Sequence, residues 1–524
     1  MIFYEELTMN KKKNTRPDIL LGIETLKRYA EDKASTMRRI NEERLIWSKK
    51  YSAGSDESSA WLFNSVINKH ADVIDNMPVC ICLPREKNDA KEAGMLSKII
   101  PVINSRCKFD KIYSDNAWEK IRHGTAIYGV FWNNSINHGL GDVDIRKINI
   151  ENIFWESGVS SIQDSGSVFI SSLMDIEKAK SKYPALDTEE FSSANGELVR
   201  IIYGDSADVS EKCAIVDWYY KSYSDGREVL HYCKFAGSTV IYSSEEDENC
   251  HGGWYAHGKY PVVFDSMYPC DNDVCGFGVM AVGRQCEKYI EELDKNLMDY
   301  SNWASKVRFW AKKSLGVNIG DFVDMSKGIV EVEGDIDEEK LKRIDIGSID
   351  GSVIDLKKLK IDELKEITGC RDVMVGGTTS GVTAASAIGM LQNAGNKFSR
   401  DGIENSCRAC VEIWEMTLEL IRQFYDEERV FRIMGDDGEY VYEAFSSSNI
   451  NGDADGESHI FDIEIDTRKR SPSEKEKMND FALKLYEIGA FDRENLEKTK
   501  LMLGVMDFDG IGRLRGELSS VSEV

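Results

Sequence analysis

VMAVGRQCEKYIEELDKNLMDYSNWASKV (Val279–Val307) reads as a helix of about eight turns, and the chain is organised around it. Cys286, Tyr289, Ile290, Leu293, Leu297 and Met298 recur at spacings of three and four, which sets them on one helix face. An insertion to about Asp350 follows, with Gly316, Gly320, Gly328, Gly334 and Gly347 among short β-branched runs. VIDLKKLKIDELKEITG (Val353–Gly369) supplies a second amphipathic helix, and RDVMVGGTTSGVTAASA (Arg371–Ala387) a Gly/Thr/Ser loop followed by small helix formers. Ala385–Asp426 is helical almost throughout, about 60 Å if unbroken. Two helices that leave a body, carry a small tip and return to a loop have the shape of a shaft rather than a catalytic cleft.

Upstream, the chain divides in two. Pro17 to Tyr51 is a long charged helix whose apolar stripe is Ile19, Leu20, Ile23, Leu26, Ala30, Met37, Ile40 and Leu45. Helices over Ala60–Asn76, Ala90–Ser105 and Asp110–His123 surround one strand-like run, VCICLP. From Gly124 the period changes to two. AIYGVFWN, two short strands within GDVDIRKINIENIFWE, SVFISSLM, VRIIYGD, CAIVDWYYKSY, REVLHYCKF, STVIYSS and YPVVFDSMYP read as strands in a β-rich section ending near Asp273. Only a brief helix, Ile176–Tyr183, interrupts them, and Asp225-Gly226 marks a hairpin turn. Downstream come a hairpin within VFRIMGDDGEYVYEAF, the strand HIFDIEID, and two short helices, Ser473–Ile488 and Asp492–Leu503. The fold class is α+β.

At 524 residues the chain exceeds the size at which one core stops growing, so several subdomains are expected. No apolar run approaches the 18 residues of a membrane span, and MIFYEELTMNKKKNTRP lacks the apolar core of a secretory signal. The net charge of −25 argues against a protein that grips nucleic acid, but not against one that DNA passes without sticking. Twelve scattered cysteines suit a reducing compartment. Cys407-x-x-Cys410 lies within the long helix without a second pair, and Cys80 and Cys82 alternate in a strand; packing is the reading for both.

Catalytic signatures are absent. Gly376-Gly377-Thr-Thr-Ser-Gly381 lacks the lysine of a phosphate loop, Gly276-Phe-Gly278 with Gly283 misses the dinucleotide spacing, and the seven histidines are dispersed. One acidic loop stands out: Asn451, Asp453, Asp455 and Asp462 occupy positions 1, 3, 5 and 12 with Gly456 at 6, as in a calcium loop. Position 12 is Asp rather than Glu and the flanks read as strands, so an acidic inter-strand loop is the plainer reading.

AWLFNSVINKHADVIDN, GTAIYGVFWN, GLGDVDIRKINIENIFWE, HGKYPVVFDSMYP and SGVTAASAIGMLQNAGNKFSRD, in this order, resemble tailed-bacteriophage portal proteins of the kind common in prophages of Gram-positive bacteria. The resemblance implies a portal-like fold: a β-rich wing, a two-helix stem carrying a clip, a long helix and a C-terminal helical crown. It divides the chain into wing (1–276), stem (277–307 and 353–370), clip (308–352), tunnel loop (371–384), long helix with following strands (385–470) and crown (471–524). It also implies a homo-oligomeric ring, usually of twelve copies, at one capsid vertex of the virion, assembled in the host cytoplasm. Its partners would be the terminase large subunit, a head–tail adaptor, and capsid and scaffolding proteins, with double-stranded DNA passing through regardless of sequence. No cofactor, resident metal or membrane is implied. The tunnel loop would be Val375, Gly376, Gly377, Thr378, Thr379, Ser380 and Gly381; a plain helix connector is the bland alternative. The clip's docking residues would be Glu331, Glu333, Asp335 and Lys340. Two rivals stand beside this reading: another phage structural ring such as a head–tail adaptor, and an ATP-driven packaging enzyme, which would need the missing phosphate loop.

Overall fold

Asp18 opens helix α1 (Ile19–Lys50) by accepting from the backbone N–H groups of Leu20 and Leu21, and Lys49 and Lys50 stand in its last turn, where cations favour the helix dipole. The computed structural model describes residues 18–51, 60–186, 189–204, 211–224, 226–250, 252–305, 309–311, 320, 341–343, 350–369, 397–434, 440–451, 459–467, 472–487, 502–503 and 506. Helix α2 (Trp61–Asp75), strand β1 (Pro78–Pro84), α3 (Ala90–Cys107) and α4 (Phe109–His123) complete the mainly helical first section. Gly124 ends α4 with φ of +98°, and a Cβ there would stand 2.4 Å from the Phe277 backbone, so only glycine fits.

The β-rich section forms two larger antiparallel sheets and one two-stranded hairpin. Strands β2 (Thr125–Asn133) and β3 (Asp142–Lys147) begin the first; β4 (Ile153–Trp155), β5 (Ser167–Asp175), β6 (Lys212–Ser224), β7 (Arg227–Ala236) and β8 (Thr239–Ser243) make a five-stranded meander in sequence order. Between β5 and β6 lie α5 (Ile176–Lys182) and α6 (Glu189–Tyr203). Strand β9 (Val262–Ser266) returns to pair with β2, giving the order β3-β2-β9. A short hairpin, β10 (Tyr268–Cys270) and β11 (Asp273–Phe277), leads into α7 (Val279–Ser305).

Next come β12 (Phe309–Ala311) and β13 (Leu341–Arg343), paired with each other, then α8 (Gly351–Thr368) and α9 (Lys397–Phe424). The hairpin β14 (Arg429–Met434) and β15 (Tyr440–Phe445) precedes β16 (Phe461–Thr467) and α10 (Pro472–Glu487). Strand β16 pairs antiparallel with β1 along its whole length, from Pro78 opposite Thr467 to Pro84 opposite Phe461. The late chain thus closes back on the early chain.

The main core gathers α2, α3, α4, the β3-β2-β9 sheet and α9, with Trp414 at 0% exposure beside Phe109. A second cluster joins Leu26 and Tyr29 of α1 to Phe169, Trp218 and Phe235 of the meander. Cys80, Cys82 and Cys410 are buried in the main core, in keeping with packing.

Three expectations need correction. VRIIYGD, expected as a strand, supplies the end of helix α6 over Val199–Tyr203. Buried Phe191, Asn195, Leu198 and Val199 repeat at helical spacing, with Leu198 and Val199 joining the second cluster. Strand β11 extends the β-rich section beyond Asp273 to Phe277. Leu20 (70% exposed) and Leu45 (53%) lie off the buried stripe of α1, which runs through Leu26, Tyr29 and Ile40.

Replacing Trp414 with Ala should cost about 3–5 kcal/mol, because the site sits among fixed neighbours that close only part of the cavity. A urea midpoint equal to wild type would contradict its central place.

Candidate functional site

Helices α7 and α8 pack against each other and leave the body together. On α7 the last buried residue is Ile290; on α8 burial begins only at Leu364. Beyond Glu291, which still meets Lys50, no described side chain of α7 is buried over the 14 residues to Ser305, about 21 Å of helix. Lys357 pairs with Asp294 across the projecting part, and the Cys286 thiol donates to the Lys360 carbonyl at 3.2 Å nearer the body. At the outer end Phe309, Trp310 and Ala311 pair with Arg343, Lys342 and Leu341, so the chain going out meets the chain coming back. The expected face on α7 is half right: Cys286 and Ile290 are buried, whereas Tyr289 and Met298 are 45% and 63% exposed.

The root of this shaft is fixed by a buried carboxylate. Glu287 (2% exposed) pairs with Lys50 at 2.8 Å, accepts from Tyr51 Oη at 2.7 Å, and accepts from the Leu62 backbone N–H at 3.1 Å. Lys50 also meets Glu291. One turn before Glu287, Gly283 lies where a Cβ would be 2.3 Å from Leu62 Cδ2, so the α7 backbone sits directly on α2. Upstream, the Gly276 N–H donates to Thr125 Oγ1 at 3.0 Å and its carbonyl accepts from Arg39 at 2.8 Å. The strand feeding the shaft is thus held at both backbone groups.

The return path is anchored on the same helix. Ser65 donates to Thr368 at 3.1 Å, and Ser399 donates to Asp72 at 2.7 Å. Burial raises the Asp72 carboxyl above its usual range, with the Ser399 bond opposing the shift. The start of α9 is then locked by Lys120, fully buried, which pairs with Asp265 and donates to the Gly402 carbonyl and Ser406 Oγ, both at 2.7 Å. Ser406 donates to the second Asp265 oxygen at 2.8 Å. All three ammonium protons have acceptors, which is the condition for burying such a charge.

Val375, Gly376, Gly377, Thr378, Thr379, Ser380 and Gly381 lie outside the described residues, as do Glu331, Glu333, Asp335 and Lys340. Of the calcium-loop set, Asp453 and Asp455 are also outside; Asn451 donates to the Arg422 carbonyl at 3.3 Å, and Asp462 stands on β16 paired with Arg85 at 2.6 Å. Among the described residues no group of three or more His, Cys, Asp or Glu could hold a metal, and no helix is long and apolar enough to cross a membrane. The sequence reading missed Glu287, Lys50 and Lys120. Glu287 had a signal: it lies between Gly283 and Ile290 on the inward face of α7, where a carboxylate requires a partner.

The model of the phage P22-like portal protein family matches residues 64–256 and 326–518, most of the chain. The chain belongs to this family. It is a tailed-phage portal protein. The stretch between the two matched segments holds β9, β10, β11, α7 and β12, so the outgoing helix of the shaft is placed by geometry alone. Comparison with curated proteins gives no match. Portal proteins are structural ring proteins.

Replacing Glu287 with Met should take from Lys50 its better-buried counter-ion and free the Leu62 N–H, at a cost of about 3–5 kcal/mol. The loss should be local: amide exchange at Gly283–Ile290 should quicken while the β5–β7 sheet stays protected. Equal exchange at both places in wild type and variant would remove Glu287 as the anchor.

Proposed function

We propose that the chain is the repeating subunit of a portal ring at one capsid vertex, the channel through which double-stranded DNA is packaged and later ejected. The observation carrying this reading is the shaft: an antiparallel helix pair, bare over its outer part, rooted in a body that the family model matches on both sides. In the proposed mapping, α7 and α8 are the stem, residues 308–352 the clip, residues 371–384 the tunnel loop and residues after 471 the crown. The exposed apolar residues of the pair, among them Met298, Ile354, Leu356 and Leu359, suit a helix pair flanked by copies of itself.

The loop residues Val375 to Gly381 carry no charge, which fits an element that touches DNA without attracting its phosphates. The net charge of −25 repels phosphates within a Debye length, about 8 Å at physiological salt. The clip segment, with 7 Lys/Arg against 10 Asp/Glu and short β-branched runs, would pair with neighbouring copies and dock the terminase or the head–tail adaptor.

Electron microscopy of the purified chain should show turbine-like rings with a central channel; shells or small flat rings would refute the reading. Deleting Gly376–Gly381 should leave ring assembly intact and impair DNA packaging; if rings fail to form, the segment is not a tunnel loop. Glu331→Lys combined with Glu333→Lys should weaken capture of terminase or adaptor more than it affects folding, and equal capture of both partners would remove the clip assignment.

A further inference from the structure

Helix α1 serves two cores at once. Leu26 and Tyr29 belong to the second cluster, against the meander, whereas Ile40 belongs to the main core. Between Tyr29 and Ile40 a single residue of the helix is buried, and it is Lys33, at 7% exposure. Its ammonium donates to the carbonyl oxygens of Ile150 and of Ile153, the latter at 2.7 Å, with the Glu151 carbonyl at 3.5 Å. It lies 4.2 Å from the ring centre of Phe154, a member of the second cluster. The ring centre of Trp155, a member of the main core, is 5.5 Å away. The amine therefore stands in the seam where the two clusters meet. No carboxylate among the described residues pairs with it, and the Glu151 side chain turns to Arg44 instead.

Carbonyls and ring faces suit an ammonium, but burial opposes it. Burial is the larger effect and brings Lys33 down from 10.5 to about 7, with Cys275 and Glu151 opposing the fall and Arg44 adding to it. Those three are the titratable or charged groups that face it, from β11, from the turn before β4 and from α1 itself; β4 presents Phe154 and Trp155. Burial pushes the Cys275 thiol up to about 12, so it keeps its proton through the neutral range. When the first half of α1 lifts from the meander, Lys33 regains water and its ordinary hold on a proton. The lifted state thus binds the proton more tightly than the seated one, and acid favours lifting. We propose that Lys33 is a proton-operated latch: as a neutral amine it lets the first half of α1 seat on the meander, and as an ammonium it loosens that seat. Opening rises as pH falls from about 10.5 to about 7, and levels off below, where both states hold the proton.

The test uses the full-length chain and follows amide exchange at Leu26–Lys33, divided by the intrinsic rate at each pH. Wild-type opening should fall by about fifty-fold between pH 7 and pH 9. It should also exceed opening at Ile413–Leu420 in α9, which marks a local event rather than unfolding of the whole. Lys33→Arg, charged throughout, should open readily and equally across that range, and Lys33→Met, never charged, should likewise show no slope. Lys27→Met, at an exposed position of the same helix, should keep the wild-type slope. A wild type as flat as Lys33→Met would overturn the inference. So would a slope that survives in Lys33→Met, or opening at Leu26–Lys33 no more frequent than in α9. Should either Lys33 variant fail to fold, the wild-type series decides alone.

Discussion

One buried carboxylate holds the projecting helices to the rest of the molecule. Glu287 gathers the end of α1, through Lys50 and Tyr51, and the start of α2, through the Leu62 amide. Without those partners the carboxylate oxygens would be buried with nothing to replace their lost hydration, and without the carboxylate Lys50 would lose its better-buried counter-ion. The close seat of Gly283 on Leu62 and the Ser65–Thr368 bond depend on the same placement of α2. The shaft is a cantilever, and its fixing is electrostatic as much as apolar.

The same device recurs at the start of α9, where Lys120, Asp265 and Ser406 bind three elements at a single point. Buried ion pairs of this kind add little net stability over a well-packed apolar cluster, because desolvation offsets much of the attraction. What they supply is position: each acceptor must lie within hydrogen-bond reach, so sliding α9 along the sheet by even one residue would break several bonds together. For a protein whose proposed work is to keep a channel aligned under load, fixed register matters more than surplus stability.

Much of the architecture was legible in local periodicity. The CAIVDWYYKSY and REVLHYCKF hairpin, the α7–α8 pair and the VFRIMGDDGEYVYEAF hairpin all announce themselves by alternation or by three-four spacing. The end of α6 escaped because Val, Ile, Ile and Tyr favour strands when read over five residues, while the helical period shows only with Phe191, Asn195 and Leu198 included. Polar anchors such as Lys120 escaped for a different reason. A lysine in a charged helix looks like a solvated one, and its partners lie 145 and 286 residues away. Such anchors join elements far apart in sequence, so no local pattern marks them.

The pairing of β1 with β16 also bears on how the chain comes off the ribosome. Strand β1, with Cys80 and Cys82 facing the core, has as its described partner a strand synthesised 377 residues after its own last residue. At roughly 5–20 residues per second, an apolar edge waits on the order of 20–75 s before that partner exists. An unpaired edge of that kind is an invitation to other nascent chains making the same protein. Two prolines, Pro78 and Pro84, bracket β1 and remove backbone donors at both ends, which shortens the edge open to a stranger's strand. The order of synthesis thus favours folding of the meander and the helices first, with the β1–β16 seam closing last.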